Sequence, residues 1–213
     1  VLVAPMMYLL RNGFEQKIKA FVEAGGTLIT TYWSGIVNET DLCYLEGTPH
    51  GLMDVVGLRS EEIDGLFDGE TNSASATTSS WLTQSESYTC SDLCDLIIPS
   101  KAKTLMTYNE DFYTNQPALT VNSFGQGQAY YIATKFEDKF YDDFYAQVLE
   151  ELGIKRPLDT ALPEGIIITD REGYLFIQNF NREAVIIPAL PTSCHLIDGD
   201  KDIHHDFTLN PFE

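Results

Sequence analysis

The first third of the chain alternates the hydrophobic patterns of strands and helices. Val1 to Ala4 is a short apolar run typical of a buried strand. The β-branched and aromatic stretch from Thr27 to Tyr32 predicts a second strand. Between them, ahead of the Gly25-Gly26 pair, four apolar residues recur at helical spacing: Phe14, Ile18, Phe21 and Val22. Strand, helix and strand with short connections predict a parallel sheet covered by helices.

The middle of the chain mixes a polar stretch with strand and helix patterns. Gly51 to Val56 is compatible with a short helix, whereas Glu70 to Ser91 is mostly Ser, Thr and Glu and predicts an irregular surface excursion. Trp81 in this excursion is expected to dock on a neighbouring surface. A four-residue apolar repeat from Phe136 to Leu152 predicts the strongest helix. Three strands precede it, the last two as a hairpin: Lys103 to Tyr108, Ala118 to Phe124 and Gln128 to Thr134.

Helical spacing disappears after Pro157, and only short strand patterns separated by turn signals follow. We therefore predict an α/β domain over residues 1–156 and a small antiparallel β domain over residues 157–213. The predicted strands of the second domain are Ile166 to Thr169, Tyr174 to Phe180, Ala184 to Ile187, Cys194 to Ile197 and Ile203 to Leu209. Because the first domain starts abruptly at Val1, we expect it to be truncated at its N-terminus, within a longer protein.

The charge balance narrows the classes of partner. Thirteen Lys+Arg against 32 Asp+Glu give a net charge of −19, which repels phosphate backbones and anionic lipid surfaces. We therefore expect neither a nucleic acid nor a membrane partner. No apolar run approaches the roughly 20 residues that span a bilayer, and the N-terminus lacks signal-peptide features. Four cysteines are too few for a disulfide scaffold. A cytoplasmic location with reduced thiols is the prediction.

Candidate metal ligands occur in two places, and in both a structural role is the better interpretation. Cys90 and Cys94 have the spacing of half a zinc site, but a small thiol beside a strand entry at Cys94 is more simply a packed core residue. Imidazoles and carboxylates gather near the last hairpin, where a solvated turn is the simpler account. They are His195, Asp198, Asp200, Asp202, His204, His205 and Asp206. We predict no metal or cofactor site.

Catalytic candidates are equally weak. Ser34, which follows the Thr27 to Tyr32 strand, lacks the G-x-S-x-G context of a nucleophile elbow, and Cys43 has no visible histidine partner. Gly125-Gln126-Gly127 resembles a phosphate loop but leads into a strand, so it is interpreted as a hairpin turn. The doublets Glu61-Glu62 and Asp142-Asp143 are better explained as solvated surface than as a glycosidase pair. We predict no catalytic residue in this chain.

Several stretches together resemble the C-terminal part of the glycoside hydrolase family 42 β-galactosidases. They are VLVAPMMYLL (1–10), AGGTLITTYWSGIVNETD (24–41), LEGTPHGLMDVVGLRSEEIDGL (45–66), PALTVNSFGQGQAYYIATKFED (117–138) and, more loosely, YLFIQNFNREAVIIP (174–188). Where the family commonly has Asp after SGIV, this sequence has Asn38.

The resemblance implies a fold and a function. In that family a catalytic (β/α)₈ barrel precedes an α/β domain like the class I glutamine amidotransferases, with a flavodoxin-like parallel sheet, which builds a homotrimer; a small β domain follows. It also implies that the catalytic glutamates, the zinc cluster and the galactoside site lie on the barrel. A barrel takes about 250 residues, so this chain is expected to be inactive alone.

Two alternatives to an oligomerisation role remain open. One is a sugar-binding module with an exposed aromatic residue, and the other is a stand-alone amidotransferase-like hydrolase that uses Ser34 or Cys43. In the oligomerisation hypothesis, aromatic and apolar side chains on loops supply contact area to a neighbouring subunit. The residues we predict at that subunit interface are Trp33, Tyr44, Leu45 and Trp81.

Overall fold

A computed structural model describes residues 1–82, 87–158, 160–190, 194–197 and 201–213. The chain divides into two compact units, Val1–Gln147 and Val148–Glu213. The elements that begin in the first unit are β1 (Leu2–Ala4), α1 (Phe14–Glu23), β2 (Thr27–Thr31), α2 (Met53–Val56), β3 (Leu58–Gly65), β4 (Asn72–Ala76), β5 (Ser87–Pro99), β6 (Lys103–Tyr108), β7 (Pro117–Phe124), β8 (Gly127–Ile132), β9 (Thr134–Phe136) and α3 (Asp138–Glu151). The predicted domain boundary near residue 157 stays a prediction.

Nine strands of the first unit form one mixed sheet in the order β1-β2-β8-β7-β6-β4-β5-β3, with β9 paired to β5. Only β1, β2 and β8 run parallel to one another. From β8 onward every pairing is antiparallel. The parallel part is therefore a three-stranded corner of a mostly antiparallel sheet.

The sheet closes on itself where β8 runs into β9. Ala133, the single residue between these strands, donates its N–H to the Ala118 carbonyl of β7 and accepts the Asp95 N–H of β5, at 2.9 and 2.7 Å. Beyond it, Cys90 of β5 is paired with Phe136 of β9. The strands β5, β4, β6, β7 and β8/β9 therefore form a closed ring of hydrogen bonds around the core of this unit.

The predicted flavodoxin-like, amidotransferase-like fold is wrong. Such a fold is an open parallel sheet with helices on both faces, whereas this chain has three parallel strands, a closed antiparallel ring and three helices among the described residues. The alternation over the first 32 residues is real, because β1, α1 and β2 occur as predicted. This alternation does not continue, because the elements between α2 and α3 are all strands.

The predicted surface excursion from Glu70 to Ser91 is also wrong over its described residues. Asn72–Ala76 forms β4 in the middle of the sheet, and β5 starts at Ser87. Small side chains suit this place, since Ala74 lies fully buried opposite Tyr108. The Asn109 side-chain amide donates to the Ser73 and Ser75 hydroxyls. Packing inside the ring and these hydrogen bonds outweigh the low strand propensity of Ser and Asn.

The helices cover the sheet as their apolar patterns predict. Ile18 and Val22 of α1 and Val55 and Val56 of α2 are buried in one hydrophobic cluster with Leu28 of β2. The predicted strong helix is confirmed as α3. Its rings pack in an aromatic cluster whose contacts are Phe136–Phe140, Tyr88–Phe140, Phe140–Phe144 and Tyr130–Phe144, with ring centroids 4.0–5.5 Å apart. No helix in the described part of the chain is long and apolar enough to cross a membrane.

The described residues of the second unit form three two-stranded antiparallel ladders: β10 (Ile166–Arg171) with β11 (Tyr174–Asn179), β12 (Val185–Ile187) with β15 (Phe207–Leu209), and β13 (Cys194–Leu196) with β14 (Lys201–Ile203). Asn179 joins two of the ladders. Its buried side-chain amide donates to the carbonyls of Glu183, Leu209 and Asn210 at 2.9, 3.2 and 3.0 Å. One side-chain amide therefore connects the end of β11 to the end of β15.

Asp95 of β5 is a carboxylate with no exposed surface. The Ser60 hydroxyl donates to its Oδ1 at 2.5 Å, and the Tyr131 hydroxyl donates to its Oδ2 at 2.6 Å. Burial raises the pKa of Asp95 to about 6, and these two hydrogen bonds limit the rise. The carboxylate therefore joins three strands at an energetic cost when it is ionised.

We predict that Asp95→Asn removes a specific pH dependence of stability. Because the folded-state pKa of about 6 exceeds the ordinary value of 3.8, the native state binds the extra proton, and this stabilisation is lost as pH rises through 6. Between pH 4.5 and pH 7.5 the free energy of unfolding of the wild type falls by about 2 kcal/mol relative to the variant. Urea unfolding of both proteins at pH 4.5 and 7.5 measures it, and parallel pH profiles contradict it.

Gly127 occupies the closest approach between α1 and the β7–β8 hairpin. The predicted hairpin is confirmed, since Phe124 pairs with Gly127 across the turn. A Cβ built at Gly127 would overlap the carbonyl oxygens of Val22 and Gly26, which are backbone atoms that cannot rotate away. Glycine is required here by space.

We predict that Gly127→Ala destabilises the protein by about 1–3 kcal/mol, because the added methyl group overpacks the backbone. Gly65→Ala is the matched control, since a Cβ at Gly65 meets nothing within 4 Å. Denaturant unfolding of both variants gives the difference. Equal effects of the two substitutions on the free energy of unfolding contradict the prediction.

Candidate functional site

The loops that follow β1 and β2 lie side by side at the carboxyl ends of the parallel strands. Gly35 N–H donates to the Met7 carbonyl at 2.8 Å, Ile36 N–H donates to the Tyr8 carbonyl at 3.0 Å, and Leu10 N–H donates to the Val37 carbonyl at 3.0 Å. These backbone hydrogen bonds continue the β1–β2 pairing beyond the strands. The two loops therefore form one fixed surface.

Hydroxyl groups of β2 and its loop hold the two loops together through hydrogen bonds. Met6 N–H donates to the Thr31 hydroxyl at 2.9 Å, and Met7 N–H donates to the Ser34 hydroxyl at 3.2 Å. The Ser34 hydroxyl donates to the Thr31 carbonyl at 2.8 Å and lies 2.9 Å from the Thr30 hydroxyl. Ser34 is 1% exposed. It is a structural residue, and the candidate nucleophile role for it has no support in this geometry.

The tip of the β2 loop is organised by Asn38. Its Oδ1 accepts hydrogen bonds from the Thr40 N–H, the Thr40 hydroxyl and the Leu42 N–H at 2.9, 2.8 and 3.1 Å. Its own N–H donates to the Leu42 carbonyl at 3.0 Å. Since these side-chain bonds need only an acceptor oxygen, an aspartate would serve equally well. The departure from the family pattern at this position is therefore structurally conservative.

Tyr44 and His50 fix the far side of the same loop. Their rings stack with centroids 3.5 Å apart, and the Tyr44 hydroxyl donates to the Leu10 carbonyl at 3.2 Å. Gly35 lets the backbone at His50 lie close to the start of the loop, because a Cβ at Gly35 would be 2.6 Å from the His50 backbone nitrogen. Next to this anchor, Leu45 is 98% exposed. An apolar side chain thus projects into solvent from a braced loop.

Trp33 stands at the start of the loop and borders a cavity of about 500 Å³. It is 41% exposed, and its φ of +54° places it in the left-handed region that a bulky residue rarely adopts. The cavity is lined by side chains from both loops and from β3 and β5: Met6, Tyr32, Trp33, Ile63, Asp92 and Leu93. The Lys135 ammonium lies 2.7 Å from the Asp92 carboxylate at its edge.

Trp81, the fourth predicted interface residue, lies apart from these loops in sequence. Its ring is tilted against Phe144 of α3, with centroids 5.8 Å apart, and its side chain is half-buried. The predicted docking of this tryptophan therefore occurs on its own unit through at least one ring contact. Trp33, Tyr44 and Leu45 are brought together on one loop, and Trp81 is placed on the helix side.

Comparison with known proteins identifies the family. The profile of the β-galactosidase trimerisation domain matches residues 1–155. The chain belongs to this family. A β-galactosidase of Clostridium perfringens is 44% identical over 187 residues, which are 86% of this chain and 27% of that protein. The solved β-galactosidases of Rahnella sp. R3 and Bacillus circulans sp. alkalophilus are 41% and 36% identical, with TM-scores of 0.83 and 0.86, and match over 99% of this chain.

The resemblance to glycoside hydrolase family 42 is thereby confirmed, since a further solved relative, at 34% identity and a TM-score of 0.83, is a GH42 β-galactosidase. This chain is a trimerisation domain of that family, with a role in oligomerisation. It spans about three tenths of the length of these relatives. Their folds also replace the flavodoxin-like expectation, because the mixed sheet described above is theirs.

The predicted thiol packing in the trimerisation domain is confirmed at Cys94, which is fully buried in β5 with Cys90. Burial raises the pKa of both thiols. Cys43 is exposed on the loop that follows β2. In the second unit, His195 Nδ1 lies 2.9 Å from Asp202 Oδ1. Asp198 and Asp200 lie outside the described residues, and the described residues contain no cluster of three or more possible metal ligands.

The two carboxylate doublets belong to surface interactions. Glu61 on β3 is paired with Arg59. Asp143 on α3 accepts hydrogen bonds from the Lys139 ammonium and, at 2.8 Å, from the Tyr88 hydroxyl, and both lower its pKa. The doublets lie on different elements and make different contacts. Their geometry is that of exposed pairs on a strand and a helix.

Sequence reasoning missed half of the cavity. Ile63 and Asp92 are far from Trp33 in sequence, and the ring must close before they meet. The one available signal was the run of loop residues after β2, which pointed to Trp33. No sequence pattern indicated that Met6, whose φ is +47°, would line a cavity.

We predict that Asn38→Ala destabilises the loop that follows β2, whereas Asn38→Asp preserves it. Alanine removes the acceptor of three hydrogen bonds, at a cost of about 1–2 kcal/mol. Aspartate keeps an oxygen in the same place. Hydrogen exchange of the Thr40 and Leu42 amides measures the effect, with fast exchange expected in the alanine variant only. Equal protection in both variants contradicts the role given to Asn38.

Proposed function

We propose that this chain assembles as a homotrimer and belongs to a β-galactosidase that cleaves terminal β-galactosides. The observation that carries the proposal is the match to the trimerisation domain over residues 1–155. The relatives named β-galactosidases are between three and four times as long as the matched region. In this proposal catalysis and galactoside binding occur on a (β/α)₈ barrel outside these residues, in a cytoplasmic enzyme, and this chain contributes no catalytic or cofactor-binding residue.

Trp33, Tyr44, Leu45 and Trp81 are the proposed contacts to a neighbouring subunit, with two different roles. Leu45 and Trp33 present exposed surface that a partner can cover. Tyr44 holds the Leu45 loop through its stacking on His50. Trp81 rests one face on Phe144 and offers the remainder of its half-buried ring. Large side chains on braced loops suit an interface, because little conformational entropy is lost on binding.

Charge sets the conditions for assembly. Each copy carries −19, so identical chains repel one another over distances that salt screens. Association must therefore depend on apolar burial and strengthen with ionic strength. This trend would be opposite for an interface held mainly by ion pairs.

We predict that the 213-residue chain has three times the mass of one chain by size exclusion with light scattering. The trimer should persist across a hundredfold range of concentration and tighten between low and physiological salt. The same preparation should not hydrolyse an aryl β-galactoside. A monomer at every concentration and salt contradicts the assembly role, and turnover by the purified chain contradicts the assignment of catalysis to another region.

A further inference from the structure

A trimer closed by rotation constrains the surfaces of each copy. Away from the threefold axis, the interface in a ring of three joins two different patches of the chain, whereas a twofold interface joins a patch to itself. If the proposed function holds, each chain therefore carries two patches that fit one another, and a projecting patch with a receiving patch is one such pair. The first unit offers one clear candidate for each.

The receiving candidate is the cavity beside Trp33. Apolar atoms of Met6, Trp33, Ile63 and Leu93 form most of its wall, and its volume of about 500 Å³ exceeds the space that one side chain needs. Trp33 and Met6 are still 41% and 45% exposed, so the wall is left wet in the single chain. Covering such an apolar wall with another apolar group is favourable, because it removes apolar surface from water.

The cavity is held open by the backbone. Met6, Trp33 and Asp92, on three separate segments, all have positive φ, at +47°, +54° and +68°. The Thr31 hydroxyl fixes Met6, and the Asp92 carbonyl accepts the Leu66 N–H at 2.9 Å. Left-handed conformations of non-glycine residues cost energy and persist where surrounding contacts impose them. A preformed receptor binds with less loss of entropy than one that must be organised.

The projecting candidate is the tip of the β2 loop. Leu45 is 98% exposed and Leu42 is 64% exposed, and neither lines the cavity of its own chain. Asn38 fixes the loop at Leu42, and the Tyr44–His50 stack fixes it beside Leu45. The tip is therefore a rigid apolar projection.

Charge does not supply the attraction between the two patches. The loop tip carries the acidic residues Glu39, Asp41 and Glu46, which the surface of a chain at −19 would in general repel. The Lys135 ammonium lies 2.7 Å from the Asp92 carboxylate of its own chain, so that carboxylate already offsets its charge. The contact between copies must therefore depend on the burial of apolar side chains.

We propose that Leu45 of one copy inserts into the cavity formed by Met6, Trp33, Ile63 and Leu93 of the next copy. Three such insertions, each from a loop tip to a cavity, close the ring. The inference rests on the proposed function and names the two patches that carry it. In this arrangement Trp33 of a given chain contacts one neighbouring copy and Leu45 of the same chain contacts the other.

A disulfide test distinguishes this pairing from other arrangements. In a Cys43→Ser background, which removes the exposed thiol beside the loop tip, the double variant Leu45→Cys/Ile63→Cys is oxidised and run on a non-reducing gel. Covalent trimers are expected from the double variant, covalent dimers from a mixture of the two single variants, and monomers from either single variant alone. Cross-linking of Leu45→Cys by itself indicates a twofold contact and overturns the proposal.

A second measurement separates the pairing from the proposed function. Leu45→Ser should weaken association at least roughly tenfold, because a buried leucine is lost. Ile186→Ser, which changes another side chain that is 65% exposed, should leave association unchanged. Trimers by light scattering without the expected cross-links overturn the pairing while the proposed function stands. A wild-type chain that remains monomeric overturns both. Lactose binding in the cavity of a trimer overturns the pairing alone.

Discussion

The hydrogen bonds of Ala133 are the constraint on which the first unit depends. This residue pairs with β7 on one side and with β5 on the other, so a single bend between β8 and β9 turns an open sheet into a ring. Asp95 of β5 also accepts hydrogen bonds from Tyr131 of β8 and Ser60 of β3, so side chains join three strands as well. Ring closure also fixes where the middle of β5 lies. Asp92 and Leu93 then face the loops that follow β1 and β2.

The parts of the fold that the sequence revealed are those stabilised locally. Helices α1 and α3 follow from apolar spacing, and the β7–β8 hairpin follows from its glycines, because each pattern is read within one element. The fold class could not be read in this way, since parallel β1 and β2 occur equally well at the corner of a mixed sheet. Strand β4 could not be predicted, because Asn, Ser and Ala have low strand propensity. The strand is stabilised by contacts with Tyr108 and Asn109, which come later in the sequence.

The candidate site shows the same division. The loop with Trp33, Tyr44 and Leu45 was predicted to be a contact surface from its aromatic content, and it does follow β2. The cavity beside Trp33 could not be predicted, because Met6, Ile63 and Asp92 come from three distant segments and carry no shared pattern. Trp81 looked identical in kind to Trp33, yet one ring packs on Phe144 and the other borders an open cavity. Only tertiary contacts separate the two.

Closure of the ring also bears on the order in which the protein can fold during synthesis. Strand β5 ends at Pro99, but its partner β9 ends at Phe136, so a nascent chain exposes one edge of a 13-residue strand until almost forty further residues have left the ribosome. Long unpaired strand edges invite pairing with other chains. Where several copies are synthesised close together, the excess of acidic residues would then act first as protection against premature association between unfinished neighbours.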